Sequence, residues 1–241
     1  MLLSFTVGGF ASYKDPQTLF LTPESTEVEK RYLNNYHIVD KDQSEQKVMK
    51  SAIIFGGNAT GKTNLLLGLQ VLQYIILAGN IFVNYNPQQD QCPPMLFARN
   101  DESKSIFFMI EVLGEDSKIY TYEVEYNNER AIREALFVGE EPIFEYNVEK
   151  GRNQDYDKWC LQSNIKQMSR EYIETFFTGT GFPYIKKLED EGIEEVNIFR
   201  KSISKIRIRM NHIFNPLVKG LDMVLDEKEK KSLRLKVINL Y

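Results

Sequence analysis

Eight consecutive residues, Gly56-Gly57-Asn58-Ala59-Thr60-Gly61-Lys62-Thr63, have the types and spacing of a loop that holds phosphate. They fit the pattern G-x-x-x-x-G-K-[ST] without mismatch. Wrapping the β- and γ-phosphates of a nucleotide takes backbone N–H groups in a turn so tight that side chains obstruct it, and Gly56, Gly57 and Gly61 carry none. Lys62 brings a mobile positive charge to the β/γ-phosphates, and the Thr63 hydroxyl is an oxygen ligand suited to Mg²⁺. Asn64 adds a further backbone N–H near the α-phosphate. At average glycine, lysine and hydroxyl-residue usage the pattern arises by chance in roughly one chain in a hundred of this length. The competing reading is a glycine turn with a solvated lysine.

Such a loop works only when a strand delivers it and a helix opens behind it. The mostly apolar run from Val48 to Phe55 is expected as a strand in the middle of a parallel sheet. From about Gly61 to Ala78 apolar residues cover most of the circumference, which predicts a helix packed between a sheet and other elements. Its unpaired N-terminal N–H groups and the positive end of its dipole add to the anion site.

Elsewhere, Leu3, Phe5 and Val7 alternate, Gly8-Gly9 breaks the run and Thr18 to Leu21 resumes it, predicting a short β meander. Tyr36 to Val39 reads as a strand, which makes His37 a structural histidine in preference to a catalytic one. Asn84 to Lys104 is a polar loop; its Gln88, Gln89 and Gln91 are candidates to place an amide near the γ-phosphate, against a plain solvated loop. Ile106 to Leu113 and Ile119 to Tyr126 form a hairpin about Gly114 to Lys118, with Tyr120, Tyr122, Val124 and Tyr126 on one face. Ile132, Leu136, Val138 and Ile143-Phe144 extend it into an antiparallel β lobe. Helices are expected at Ile165 to Phe177 and about Ile193 to Phe214. In the second, Phe199, Ile203, Ile206, Met210 and Ile213 form an apolar stripe, while Arg200, Lys201, Lys205, Arg207 and Arg209 cover the other faces, as a solvated surface or a nucleic-acid patch. Gly179-Thr180-Gly181 is a turn, and Leu233 to Leu240 alternates as a strand.

At 241 residues, with 42% hydrophobic and 27% charged residues, the chain has the composition of a globular protein able to bury a sizeable core. Its formal charge of −4 gives no global attraction to nucleic acid. Cys92 and Cys160 lack metal-ligand spacing, so a reduced, cytoplasmic setting is expected. Gln70, Gln73 and Asn80 interrupt the most apolar region, and no membrane span is expected.

ATP hydrolysis needs, besides the loop, an apolar strand ending in an acidic pair to organise Mg²⁺ and water. Met223-Val224-Leu225 followed by Asp226-Glu227 is a superficial candidate, interrupted at Asp222. No Asn-Lys-x-Asp guanine motif occurs, which favours ATP over GTP.

Three stretches together resemble the cassette-type ATPases of the RecF and SMC branch, and most closely the AAA-family ATPases of the overlapping-lysogenisation-defect and abortive-infection group. Val7-Gly8-Gly9-Phe10-Ala11-Ser12-Tyr13 is similar to that family's first strand and Asn-Phe-x-Ser turn, with Gly9 in place of Asn. The loop has the form Gly-x-Asn-x-x-Gly-Lys-Thr at Gly56, Asn58, Gly61, Lys62 and Thr63. The stretch from Pro94 through Tyr120 to Leu136 is similar to its β lobe. The resemblance implies an α/β fold: a P-loop NTPase core with an antiparallel β lobe and a helical segment. It divides the chain into the N-terminal part of the core at 1–83, the lobe at 84–150, a helical subdomain at 151–232 and the start of a strand of an incomplete second half at 233–241, so that the chain resembles the N-terminal half of a longer ATPase. It further implies ATP and Mg²⁺ as cofactors, a homodimer or a partner subunit carrying the signature and acidic motifs, and a phage-defence or DNA-maintenance role with DNA or RNA as a partner. A small-molecule kinase using Asp226, and a nucleic-acid module using the basic helix 200–209, remain as alternatives.

Overall fold

A computed structural model describes residues 1–23, 30–41, 44–58, 60–79, 105–126, 131–147, 183–190 and 192–208. The described residues form a mixed α/β fold, with a mostly antiparallel sheet and few helices. Strands β1 (Leu2–Gly8), β2 (Gln17–Phe20), β5 (Ile106–Leu113), β6 (Ile119–Tyr126), β7 (Ala131–Val138) and β8 (Glu141–Asn147) make one sheet in the order β2-β1-β5-β6-β7-β8. A separate pair joins β3 (Tyr36–Lys41) to β4 (Ser44–Met49). Among the described residues the helices are α1 (Lys62–Ala78), α2 (Tyr184–Asp190) and α3 (Glu194–Ser204), besides a 3-10 turn over Lys30–Asn35.

The alternation read for the β5–β6 hairpin sets its register. Val112 lies opposite Tyr120, Ile110 opposite Tyr122, Phe108 opposite Val124 and Ile106 opposite Tyr126. All eight of these side chains are buried. On β1, Phe5 and Val7 continue this apolar face, and the Phe5 ring stacks on Phe108 at 6.2 Å. The opposite face of β1 is polar but also buried, and its hydroxyls are paired across strands: Ser4 Oγ with Glu111 Oε2 at 2.5 Å, and Thr6 Oγ1 with Thr18 Oγ1 at 2.8 Å.

Helix α1 lies on the apolar face, where Gly68 leaves room for the close approach: a Cβ there would stand 3.4 Å from both Phe108 and Val7. Helix α3 packs across α1 and the sheet, its Phe199 ring 6.2 Å from Tyr120 and 5.5 Å from Tyr122. Two polar clamps join the helices. Gln73 Nε2 donates to the carbonyls of Ile203 and Ile206 at 2.9 and 2.8 Å, where α3 ends, and Arg200 Nη2 donates to the Leu77 carbonyl at 2.8 Å, where α1 ends. Arg200 thus serves a last-turn carbonyl of the kind a helix leaves without an intrahelical partner, while Gln73 adds a second donor to the Ile203 carbonyl, which also accepts from the Ile206 N–H at 3.0 Å.

The run Val48 to Phe55 departs from the expected parallel strand. Strand β4 ends at Met49 and pairs antiparallel with β3, and Ile53, Ile54 and Phe55 are 77%, 40% and 86% exposed. Among the described residues no strand lies alongside 50–55. A local hairpin closes at small entropic cost, whereas a central parallel strand needs neighbours delivered by long crossovers. The helix expected from Ile193 to Phe214 begins at Glu194 and ends at Ser204, with Lys205 as its cap and 206–208 outside any helix. The residues beyond 208 lie outside the described residues, as do the expected helix at 165–177, the turn at 179–181 and the strand at 233–240.

Glu134 on β7 is the buried carboxylate that ties α2 to the sheet. Its Oε1 accepts from the Tyr122 hydroxyl at 2.9 Å and the Ile185 N–H at 2.8 Å, and its Oε2 accepts from the Tyr184 N–H at 2.6 Å. Burial outweighs these three contacts and pushes its carboxyl up from 4.5 to about 7. Between those two values the folded chain holds a proton that the unfolded chain releases, so stability falls as pH rises from about 4.5 to about 7 and is level above that. Glu134→Gln is expected to remove this slope, which is on the order of 3 kcal/mol. Denaturant unfolding of both proteins at pH 5 and pH 8 measures it, and parallel pH dependences contradict it.

Candidate phosphate-binding site

The phosphate loop leaves residues 50–55 and ends on Gly61, which precedes α1 with φ 93 and ψ 1. That left-handed backbone suits glycine, and a Cβ here would come within 2.4 Å of Ser12 Oγ. The requirement for glycine at Gly61 is therefore both conformational and steric. Lys62, Thr63 and Asn64 form the first turn of α1, where N–H groups have no partner within the helix and point out of its end.

Lys62 folds back across the loop. Its Nζ donates to the Gly56 carbonyl at 2.6 Å and the Gly57 carbonyl at 2.5 Å, and lies 3.2 Å from Thr60 Oγ1. Thr60 Oγ1 in turn donates to the Gly57 carbonyl at 2.9 Å. The ammonium thus staples the two ends of the loop together and stands at its mouth beside the helix start. This placement joins a positive charge, a helix N-terminus and a glycine turn, a combination suited to an anion.

The turn between β1 and β2 braces the site from the other side. Tyr13 Oη donates to the Gly61 carbonyl at 3.1 Å, and Asn64 Nδ2 donates to Ser12 Oγ at 3.0 Å. The turn itself is closed by reciprocal bonds between the Phe10 and Tyr13 backbones at 3.0 and 2.8 Å. Burial raises the Tyr13 phenol above its usual value, further from the neutral range in which a phenol is already a donor.

Of the residues expected at the site, Gly56, Gly57, Thr60, Gly61 and Lys62 come together as one loop, with Asn58 exposed on it and Thr63 exposed on the first helical turn. Ala59 lies outside the described residues, as do Gln88, Gln89, Gln91, Asp226 and Glu227. Thr63 presents a hard hydroxyl oxygen, which fits an ion that takes few protein ligands and keeps much of its water. Among the described residues no three His, Cys, Asp or Glu side chains gather to hold a metal. His37 is exposed on β3. The bracing by Ser12 and Tyr13 was not legible in the motif, because both residues lie about fifty positions upstream; the only signal was the resemblance of their turn.

The basic helix is less available than its sequence indicates. Arg200 is 6% exposed and occupied at the end of α1. Lys201 and Lys205 both pair with Glu115, which their hydrogen bonds hold down to about 2, and Arg207 donates to the Ser204 carbonyl. Arg209 lies outside the described residues.

No family model matches the chain, and no curated protein matches it. Among solved structures, a chain from work on the structural biochemistry of ATP-driven dimerization and DNA-stimulated activation of SMC ATPases is similar over 79% of this chain and 97% of its own, with 14% identity and a TM-score of 0.31. No helix of the described residues is long and apolar enough to cross a membrane.

Arg200→Ala is expected to act on stability rather than on nucleic acid. Loss of a buried charge-assisted bond at Leu77 costs on the order of 1.5–3 kcal/mol, besides the packing of the side chain. Lys201→Ala, which removes an exposed and screened pair, should shift the melting temperature little. Chemical unfolding of the two variants separates these roles, and a stable Arg200→Ala chain that loses DNA binding contradicts the assignment.

Proposed function

We propose that the chain binds ATP with Mg²⁺ at the loop Gly56 to Thr63, as part of a P-loop ATPase of the cassette or AAA type. The observation that supports this best is the position of the Lys62 ammonium, held at the loop mouth by the Gly56 and Gly57 carbonyls next to the open N-terminus of α1. In this reading the N–H groups of the loop and first helical turn hold the β- and γ-phosphates, Lys62 offsets their charge, and Thr63 is the one ligand that the loop itself offers to Mg²⁺. Mg²⁺ held by Thr63 would supply neutralisation of phosphate charge. Asn64 keeps its backbone N–H for the ligand while its side chain is committed to Ser12. Hydrolysis takes a carboxylate pair to orient water, and we assign it to Asp226-Glu227 or to a partner subunit, with a homodimer as the simplest assembly. Work in phage defence or DNA maintenance, on DNA or RNA, is the role we propose for such an assembly.

Mg-ATP should raise the unfolding temperature, because a ligand that binds only the folded state stabilises it by mass action. Lys62→Ala should weaken binding about tenfold to a hundredfold, as expected for loss of a charge-assisted contact. Thr63→Ala should chiefly remove the Mg²⁺-dependent part. Thermal shift and calorimetry read both, and a wild-type chain indifferent to Mg-ATP overturns the proposal. Turnover abolished in an Asp226→Asn, Glu227→Gln double variant places the acidic pair in this chain; turnover that survives places it elsewhere.

A further inference from the structure

We propose that Tyr13 is a positioning residue for the phosphate loop, its hydroxyl aiming the Lys62 backbone N–H at bound phosphate by holding the Gly61 carbonyl. This inference rests on the nucleotide-binding reading above.

The argument is geometric. The peptide joining Gly61 to Lys62 is planar and trans, so its C=O and N–H point in opposite directions and turning one turns the other. Its carbonyl accepts twice, from the Leu65 N–H at 3.0 Å as the first bond of α1 and from Tyr13 Oη at 3.1 Å. With the carbonyl held along the helix, the Lys62 N–H is held out of the helix end, toward the loop mouth where the ammonium of the same residue stands. Gly61 has no side chain to hold this peptide, and its left-handed φ is one that only the missing Cβ makes easy. The Leu65 N–H holds the carbonyl from within the helix, and the Tyr13 hydroxyl adds the one hold from outside it that the described residues show.

The tether is itself fixed. Phe10, three residues before Tyr13, is fully buried against Phe108 with ring centroids 5.6 Å apart, and the Phe10–Tyr13 backbone bonds close the turn on that anchor. Ser12 engages Asn64 in the first turn of the helix at 3.0 Å. The β1–β2 turn therefore grips both sides of the peptide whose N–H faces the ligand, and transmits the position of the sheet to the loop.

The test is Tyr13→Phe, which removes one oxygen and leaves the ring. Its affinities for Mg-ATP and for Mg-tripolyphosphate are measured beside the wild type, together with the melting temperature of the ligand-free chain. Positioning of a phosphate-facing N–H predicts that both ligands lose affinity by the same factor, about threefold to tenfold, while the ligand-free melting temperature is kept. Unchanged affinity for both overturns the inference. A loss for ATP without a loss for tripolyphosphate also overturns it, since Tyr13 then serves the nucleoside. A loss that follows a lowered melting temperature of the free chain shows a structural role only and overturns it too. A wild-type chain that binds neither ligand sinks the nucleotide reading itself, which separates that failure from failure of the tether.

Discussion

A helix that is apolar over most of its circumference is stable only when it finds apolar cover on nearly every side, and α1 is such a helix. Twelve of its residues, the first Leu65 and the last Leu77, are buried. The sheet supplies one side through Val7, Phe10 and Phe108, and α2 and α3 supply the other. The proposed phosphate site sits at the least enclosed part of this helix, its first turn. Burial of the body thus holds the N-terminus in place, and the rest of the architecture can be read as the cover that this helix needs.

Enclosing a helix creates a second problem, because helix ends carry unpaired carbonyls and N–H groups. The chain answers it with side chains borrowed from the neighbouring element. Gln73 of α1 serves the end of α3, Arg200 of α3 serves the end of α1, and Glu134 of β7 serves the start of α2. These contacts are directional where the apolar core is not, so they select one arrangement of helices from those that hydrophobic burial permits. A buried carboxylate carries the larger electrostatic cost, and the raised protonation range of Glu134 expresses it.

The same logic distinguishes charges that hold the fold from charges that face a partner. Arg200, Lys201 and Lys205 sit within six residues of one another, yet the first is consumed inside the helix pair and the other two share the single carboxylate of Glu115 on the β5–β6 turn in exposed pairs. The phosphate loop differs in kind. Lys62 is satisfied by carbonyls of its own loop, which keep the ammonium at the mouth and leave its charge uncompensated by any of these carboxylates. A positive charge held by neutral oxygens retains its attraction for an anion, whereas a carboxylate beside it offsets part of that attraction.

Local pattern carried much of this molecule. Eight residues spell the loop, period-two alternation sets the β5–β6 register, and the apolar circumference of 62–78 requires a buried helix, because each of these depends on neighbours in sequence. Partners distant in sequence were decided only by tertiary structure. A basic residue at position 200 reads as surface until the end of α1 is seen to lie 2.8 Å away, and Glu134 reads as a strand's polar face until two N–H groups of α2 converge on it. Apolar Ile53 to Phe55 reads as a core strand, but burial requires a neighbour that composition alone does not supply. The grip of Tyr13 on Gly61 spans 48 residues and leaves no periodic trace, since one hydroxyl meeting one carbonyl is a product of where the sheet sets the turn.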